Sequence, residues 1–265
     1  MEAQRRGIET LPFEVLIDTT PVQVFACKNC ERPLIAGQRY CADCGQKAAT
    51  PRLTLHDIGH ETLHALLHVD RSVLSLIRAL ALRPGRVALD YVSGRRKRYF
   101  GPFAFLIVTV ALASAAIAVT EFPAVTSDIP NAVARFLQHH VNLLFFVQVP
   151  IIAAACRVLT PRGPFNYAEY LVLNAYTAGM YILFFTVVIV CGRYLLRPSE
   201  LMARDIYLAL IPVYPLYLGF ACAQFLPGSK WLAAVKGVAA SLITYAVTQV
   251  LVSAASNVAE LLTRP

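Results

Sequence analysis

Apolar residues dominate five stretches of the chain, at 101–120, 141–159, 168–191, 205–226 and 231–255. Each approaches the ~20 residues a helix needs to cross a bilayer core, so the pattern predicts five transmembrane helices. Pro150 lies inside the second stretch, and Pro212 and Pro215 inside the fourth. Proline removes a backbone donor, so these two helices are expected to kink and to pack inward, where neighbours re-satisfy the freed carbonyls.

Ahead of the first stretch the periodicity changes. In SVLSLIRALALRPG, Val73, Leu74, Ile77, Leu80 and Ala81 recur at helical spacing with Arg71 and Arg78 between them, until Pro84-Gly85 ends the pattern. Such a helix suits the headgroup layer, with arginines at phosphates; packing on the end of the first span is the alternative. Further upstream, His56, His60, His64 and His68 advance by four residues each. Successive members turn by ~40° on a helix, so they form a slowly winding stripe beside Asp57 and Glu61, opposite Leu55, Ile58, Leu66 and Val69.

Composition strengthens the membrane reading. Of 265 residues 57% are hydrophobic and 15% charged, with a mean hydropathy of +0.56, outside the range of ordinary soluble domains. The segment MEAQRRGIETLPFEV has a basic start but no apolar core, so a secretory signal is not expected there. The net charge of +8 is concentrated at Arg95, Arg96, Lys97 and Arg98, directly before the first span. That position favours anionic lipid headgroups and membrane orientation over nucleic acid. Arg157 and Arg162 in one loop and Lys230 and Lys236 in another agree with a cytoplasmic amino terminus and an external carboxy terminus, whereas Arg193, Arg197 and Arg204 oppose it.

Four of the seven cysteines form Cys27-x-x-Cys30 and Cys41-x-x-Cys44, with ten residues between the pairs. A CxxC turn aims two thiolates at one point, and two such turns close a tetrahedral cage around zinc. Gly45 suits the second turn because it leaves room for a backbone amide near a sulfur. Four protein ligands leave no position for water, which makes the ion structural and a source of folding energy for ~25 residues that lack their own core. Paired disulfides are the competing reading and require an oxidising compartment. Cys156, Cys191 and Cys222 are scattered in or near spans and read as small buried hydrophobes.

The histidine stripe contains HETLH, the HExxH string of zincin proteases. It lacks the extended HExxHxxGxxH pattern. A second metal or proton site at His56, Asp57, His60, Glu61, His64 and His68, a headgroup-contacting face that charges at low pH, and a solvated structural face stay open.

CKNCERPLIAGQRYCADCGQ, followed by HETLHALLHVDRSVLSLIRALALRPGRVALDYVSGRRKRYFGPF, resembles a widespread bacterial family of zinc-ribbon, multi-pass membrane proteins of unknown function. Pro84, Gly85, Tyr91, Gly94, Arg95, Arg96 and Tyr99 match its motif positions, and the specific resemblance covers residues 27–106. It implies a bacterial inner-membrane protein and no particular activity. Where the family carries later histidines after a Y-x-E-H context, this chain has Tyr167-Ala168-Glu169-Tyr170, so those histidines are missing. Glu169, Tyr170 and Asn174 are left to line a polar pocket.

The expected fold is an all-α integral membrane protein of about five transmembrane helices, with a small amino-terminal zinc ribbon and a juxtamembrane amphipathic region. Its expected divisions are 1–24, the ribbon at 25–48, the cytoplasmic helices at 52–99 and the bundle at 100–258. The expected function is a cytoplasmic binding or assembly module, contacting lipid headgroups through Arg78 and Arg95 to Arg98 and a protein partner through the ribbon. The alternatives are a membrane-bound metal-dependent hydrolase or transferase acting on lipid headgroups through His56 to His68, and a small-solute transporter.

Overall fold

In a computed structural model of the chain, the residues described are 24–35, 37–55, 72–120, 144–196, 205–206 and 208–263. Two short strands, β1 (Val24–Ala26) and β2 (Pro33–Ile35), pair antiparallel with Phe25 opposite Leu34. The other named elements are helices: α1 (Ser72–Leu82), α2 (Pro84–Val92), α3 (Pro102–Thr120), α4 (Leu144–Leu159), α5 (Tyr167–Cys191), α6 (Val213–Phe225) and α7 (Lys230–Thr263). A π-helical turn, Gly192–Leu196, extends α5.

Among the described residues, four helices are long and apolar enough to cross a membrane: Pro102–Val119, Tyr167–Tyr194, Leu208–Phe225 and Lys230–Ala255. The second predicted stretch is helical over the 16 residues of α4. At 1.5 Å per residue this is about 24 Å, short of a ~30 Å bilayer core; residues 141–143 of that stretch lie outside those described. The prolines of the fourth stretch sit at a helix start. Pro212 is the N-cap of α6 and Pro215 falls in its first turn, where an amide has no intrahelical acceptor to lose.

Pro84-Gly85 both ends one helix and begins another. Pro84 occupies the first turn of α2, which suits its fixed φ, and Arg83 between the helices is non-helical at φ −149° and ψ 56°. Neither helix lies free on a surface. Leu76, Leu80, Val87 and Ala88 are fully buried, in one core with Phe105, Tyr176 and Phe225. The packing partners are α5 and α6 instead of the first span: Tyr91 meets Tyr176 edge to face, and the Tyr217 hydroxyl donates to Leu80 O at 2.8 Å. Gly85 makes this closeness possible, because a Cβ there would stand 2.0 Å from Ala221 O and 2.9 Å from Phe225 N. The Gln224 carboxamide oxygen accepts from the Gly85 amide at 3.1 Å, capping α2 from across the interface.

The outward face of α1 carries Leu74, Arg78 and Leu82, four residues apart and all exposed. Apolar and cationic side chains thus alternate on it.

Candidate metal centre

Each cysteine pair is built by the same backbone device. In the first, the Cys27 amide donates to Arg32 O at 2.8 Å and the Glu31 amide to Cys27 O at 2.8 Å. In the second, the Cys41 amide donates to Gln46 O at 2.8 Å and the Gly45 amide to Cys41 O at 2.9 Å. The fourth residue after the leading cysteine is left-handed in both, Glu31 at φ 65° and Gly45 at φ 67°. Glycine at position 45 therefore serves backbone conformation, its amide going to a carbonyl and not to a sulfur. Glutamate at position 31 adopts the same geometry against its preference.

These turns bring the four sulfurs within 4.8 Å of one another. Cys27 Sγ lies 3.7 Å from Cys44 Sγ, and Cys30 Sγ 3.5 Å from Cys41 Sγ. Disulfide sulfurs stand at ~2.05 Å, and all four cysteines are free thiols. Tetrahedral thiolate ligation with metal–sulfur bonds of ~2.3 Å requires sulfurs ~3.8 Å apart, close to the separations found, so the donor set fits a metal ion. The module has little else to hold it together: its buried cluster is Cys27, Cys41 and Leu34, with Cys30, Cys44 and Ala48 packed against it.

The thiols also differ in acidity. Burial alone would raise Cys27, but amides of Cys30 and Asn29 and hydrogen bonds from Cys44 and Cys30 bring it down to about 7. The Arg32 amide favours the Cys30 thiolate, yet burial and hydrogen bonding with Cys41, Cys44 and Cys27 outweigh it and push Cys30 up to about 12. Crowded thiols resist sharing negative charge unless a cation neutralises them.

Gln46 joins this centre to the turn that leads into α3. Its carbonyl closes the second cysteine loop, while its side chain, 3% exposed, reaches residues 94–97. The carboxamide donates to Gly94 O at 2.7 Å and accepts from the amides of Arg96 and Lys97 at 3.2 and 3.3 Å. Gly94 has φ 109°, and a Cβ there would meet Lys28 Cδ at 2.9 Å. Around it, Lys28 Nζ donates to Thr50 O at 2.9 Å, Arg95 Nη2 pairs with Glu31 at 3.1 Å, and Arg96 Nη2 donates to Pro51 O at 3.0 Å.

A second attachment follows at once. The Arg52 guanidinium grips Glu169 at both oxygens, at 2.9 and 2.8 Å, and bonds Pro164 O. Glu169 raises the affinity of Arg52 for its proton, first by hydrogen bonding and then by charge. The same carboxylate completes a capping box with Asn166 at the start of α5. The Asn166 carboxamide also donates to Leu53 O at 3.1 Å, and Leu53 is buried in the helical core.

Glu169 is thus engaged by Arg52 and the α5 cap. The Tyr170 hydroxyl bonds Thr160 Oγ1 at 2.5 Å, and Asn174 Nδ2 donates to Tyr170 O at 2.8 Å. Of the basic cluster, Arg95 and Arg96 have protein partners, Lys97 is exposed, and Arg98 lies 5.7 Å from the centre of the Tyr99 ring. Arg78 is exposed on α1. The stripe of His56, Asp57, His60, Glu61, His64 and His68 lies outside the described residues. Gln46, Arg52 and Asn166 were not singled out from the sequence, where the only signal was the position of Gln46 at the end of CGQ; Gln224 stood out only as a polar residue in a span, and here it caps α2.

Residues 70–113, spanning α1, α2 and the first part of α3, match a family described as "Protein of unknown function (DUF3667)". The cysteines lie outside the matched segment. No curated protein and no solved structure gives a significant match to the chain.

Proposed function

We propose that this protein is a bacterial inner-membrane protein in which a structural zinc ribbon, on the cytoplasmic face, is docked over the end of a five-helix bundle and acts as a membrane-anchored binding or assembly module. The observation that carries this reading is the double use of Gln46, whose main chain closes a cysteine loop and whose side chain holds the turn before α3. Metal occupancy and the position of the module are thereby coupled.

Three further features support it. The sulfur spacing suits zinc with no coordination position left for water, which fits a structural ion. Phe25, Ile35 and Tyr40 are each more than half exposed on the module, giving a partner apolar surface to bind. Four apolar helices of spanning length among the described residues fit a multi-pass protein, and α4 taken as a fifth crossing puts the two chain ends on opposite sides.

The test is metal analysis of detergent-purified protein. One zinc per chain is expected, lost on replacing Cys27 and Cys44 by serine and retained in the His60→Ala, His64→Ala double variant. A second equivalent of metal that disappears with those histidines would overturn the non-catalytic assignment. Protein that stays in the supernatant after ultracentrifugation without detergent would overturn the membrane assignment.

A further inference from the structure

A cavity of about 410 Å³ opens between the α4–α5 loop and the start of α7, within the ~300–1,000 Å³ range of small-ligand sites. It lies at the end of the bundle that carries the cysteine module, since Arg52 bonds Pro164 O in the same loop. Its lining is mixed. Leu226, Leu232 and Ala233 contribute apolar surface, and Arg162, Ser229 and Lys236 polar groups, with no acidic side chain in the lining.

Lys236 is the informative residue. It stands six residues into α7, ~9 Å along the axis at 1.5 Å per residue, and falls within the apolar window Lys230–Ala255. It is half-buried, and among the described residues neither Lys236 nor Arg162 has an acidic partner. Among the described residues, the acids near the cysteine module and the α5 start are paired elsewhere: Glu31 and Asp90 with Arg95, Asp43 with Arg32, and Glu169 with Arg52. An ammonium held at the edge of hydrocarbon is costly without a counter-ion. Arg157, a third cation nearby, is already engaged: its guanidinium donates to the carbonyls of Thr160 and Pro161 and fixes the loop that forms the rim.

We propose that this cavity binds the phosphate of an anionic glycerophospholipid, with Arg162 and Lys236 on the phosphate oxygens, the Ser229 hydroxyl donating to them, and Leu226 and Leu232 against the glycerol and upper acyl carbons. A guanidinium and an ammonium lining one cavity can together recognise an oxyanion, and the apolar residues of the same lining distinguish a lipid phosphate from a free one. Trp231, 79% exposed beside the site, is suited to the interfacial layer where such a headgroup lies. The site rests on the membrane reading of the chain and is independent of the metal.

The test is native mass spectrometry of the delipidated full chain, titrated separately with phosphatidylglycerol, phosphatidylcholine and inorganic phosphate. Wild type is expected to retain one phosphatidylglycerol at least tenfold more tightly than the R162Q/K236Q double variant. The Lys97→Gln, Arg98→Gln pair, at the same end but outside the cavity, should stay within twofold of wild type. Ser229→Phe obstructs the cavity without altering charge and should also lose the lipid, which preserves the test if the double variant does not fold. Equal retention by wild type and either cavity variant would overturn the proposal. Equal binding of inorganic phosphate and phosphatidylglycerol would overturn its lipid component. A chain that pellets with membranes yet retains no lipid would refute this site alone.

Discussion

Replacing Gln46 by alanine removes three hydrogen bonds that tie the cysteine module to residues 94–97. The shortest, 2.7 Å to Gly94 O, leaves a buried carbonyl without its donor; the other two, at 3.2 and 3.3 Å, release the amides of Arg96 and Lys97. A lost bond to a buried partner costs ~1 kcal/mol or somewhat more, and the longer ones less, so the docked state should weaken by about 2–3 kcal/mol. Since 1.4 kcal/mol is a factor of ten, amide exchange in the peptide covering residues 94–99 should accelerate by roughly 30- to 150-fold. Hydrogen–deuterium exchange in detergent or nanodiscs measures this directly. Gln46→Glu separates the contacts: a carboxylate still accepts from the two amides but cannot donate to Gly94 O, so it should give an intermediate rate. Removing the metal from wild type should reproduce the alanine phenotype, because the loop closed by Gln46 O loses its anchor, and removing it from Gln46→Ala should add little. Unchanged exchange in Gln46→Ala, or fully additive effects of chelation and substitution, would refute the coupling.

Gly85→Ala should lower thermal stability in detergent by the equivalent of about 1–3 kcal/mol, since the methyl would lie 2.0 Å from backbone at Ala221 and a helix must shift; Gly192→Ala, with open space around its Cβ position and right-handed φ, should be neutral or slightly stabilising. At position 31 glycine and alanine both abolish the exposed pair with Arg95, but glycine alone relieves the left-handed backbone. Glu31→Gly should therefore hold metal against a competing chelator about fivefold better than Glu31→Ala, reflecting ~1 kcal/mol of backbone preference.

What was legible in the sequence was what depends on near neighbours. CxxC spacing reports a turn of a few residues, and two such turns converge whatever else the chain does. Hydropathy likewise marks α3, α5, α7 and the stretch Leu208–Phe225 that contains α6, because each span answers individually to the length of a bilayer. The contacts that place these parts join residues far apart: Arg52 to Glu169 across 117 positions, and Gly85 to Gln224 across 139. Arginine, glutamate and glutamine have no periodicity that would announce such partners. The role of Pro84-Gly85 was half visible, since its stop signal is local whereas the demand for glycine comes from Ala221 on another helix. Pro212 and Pro215 signalled a disturbance correctly placed, but whether proline kinks a helix or begins one depends on where the first turn falls.

The bond between Arg52 and Glu169 also orders events during synthesis. A ribosome makes the amino end first, so all four thiols have emerged long before the carboxylate that seats them, 117 residues behind Arg52, exists. The four thiols can thus meet a metal ion while Glu169 is still unmade, and the bond that fixes position 52 to α5 closes only after the ribosome has passed position 169.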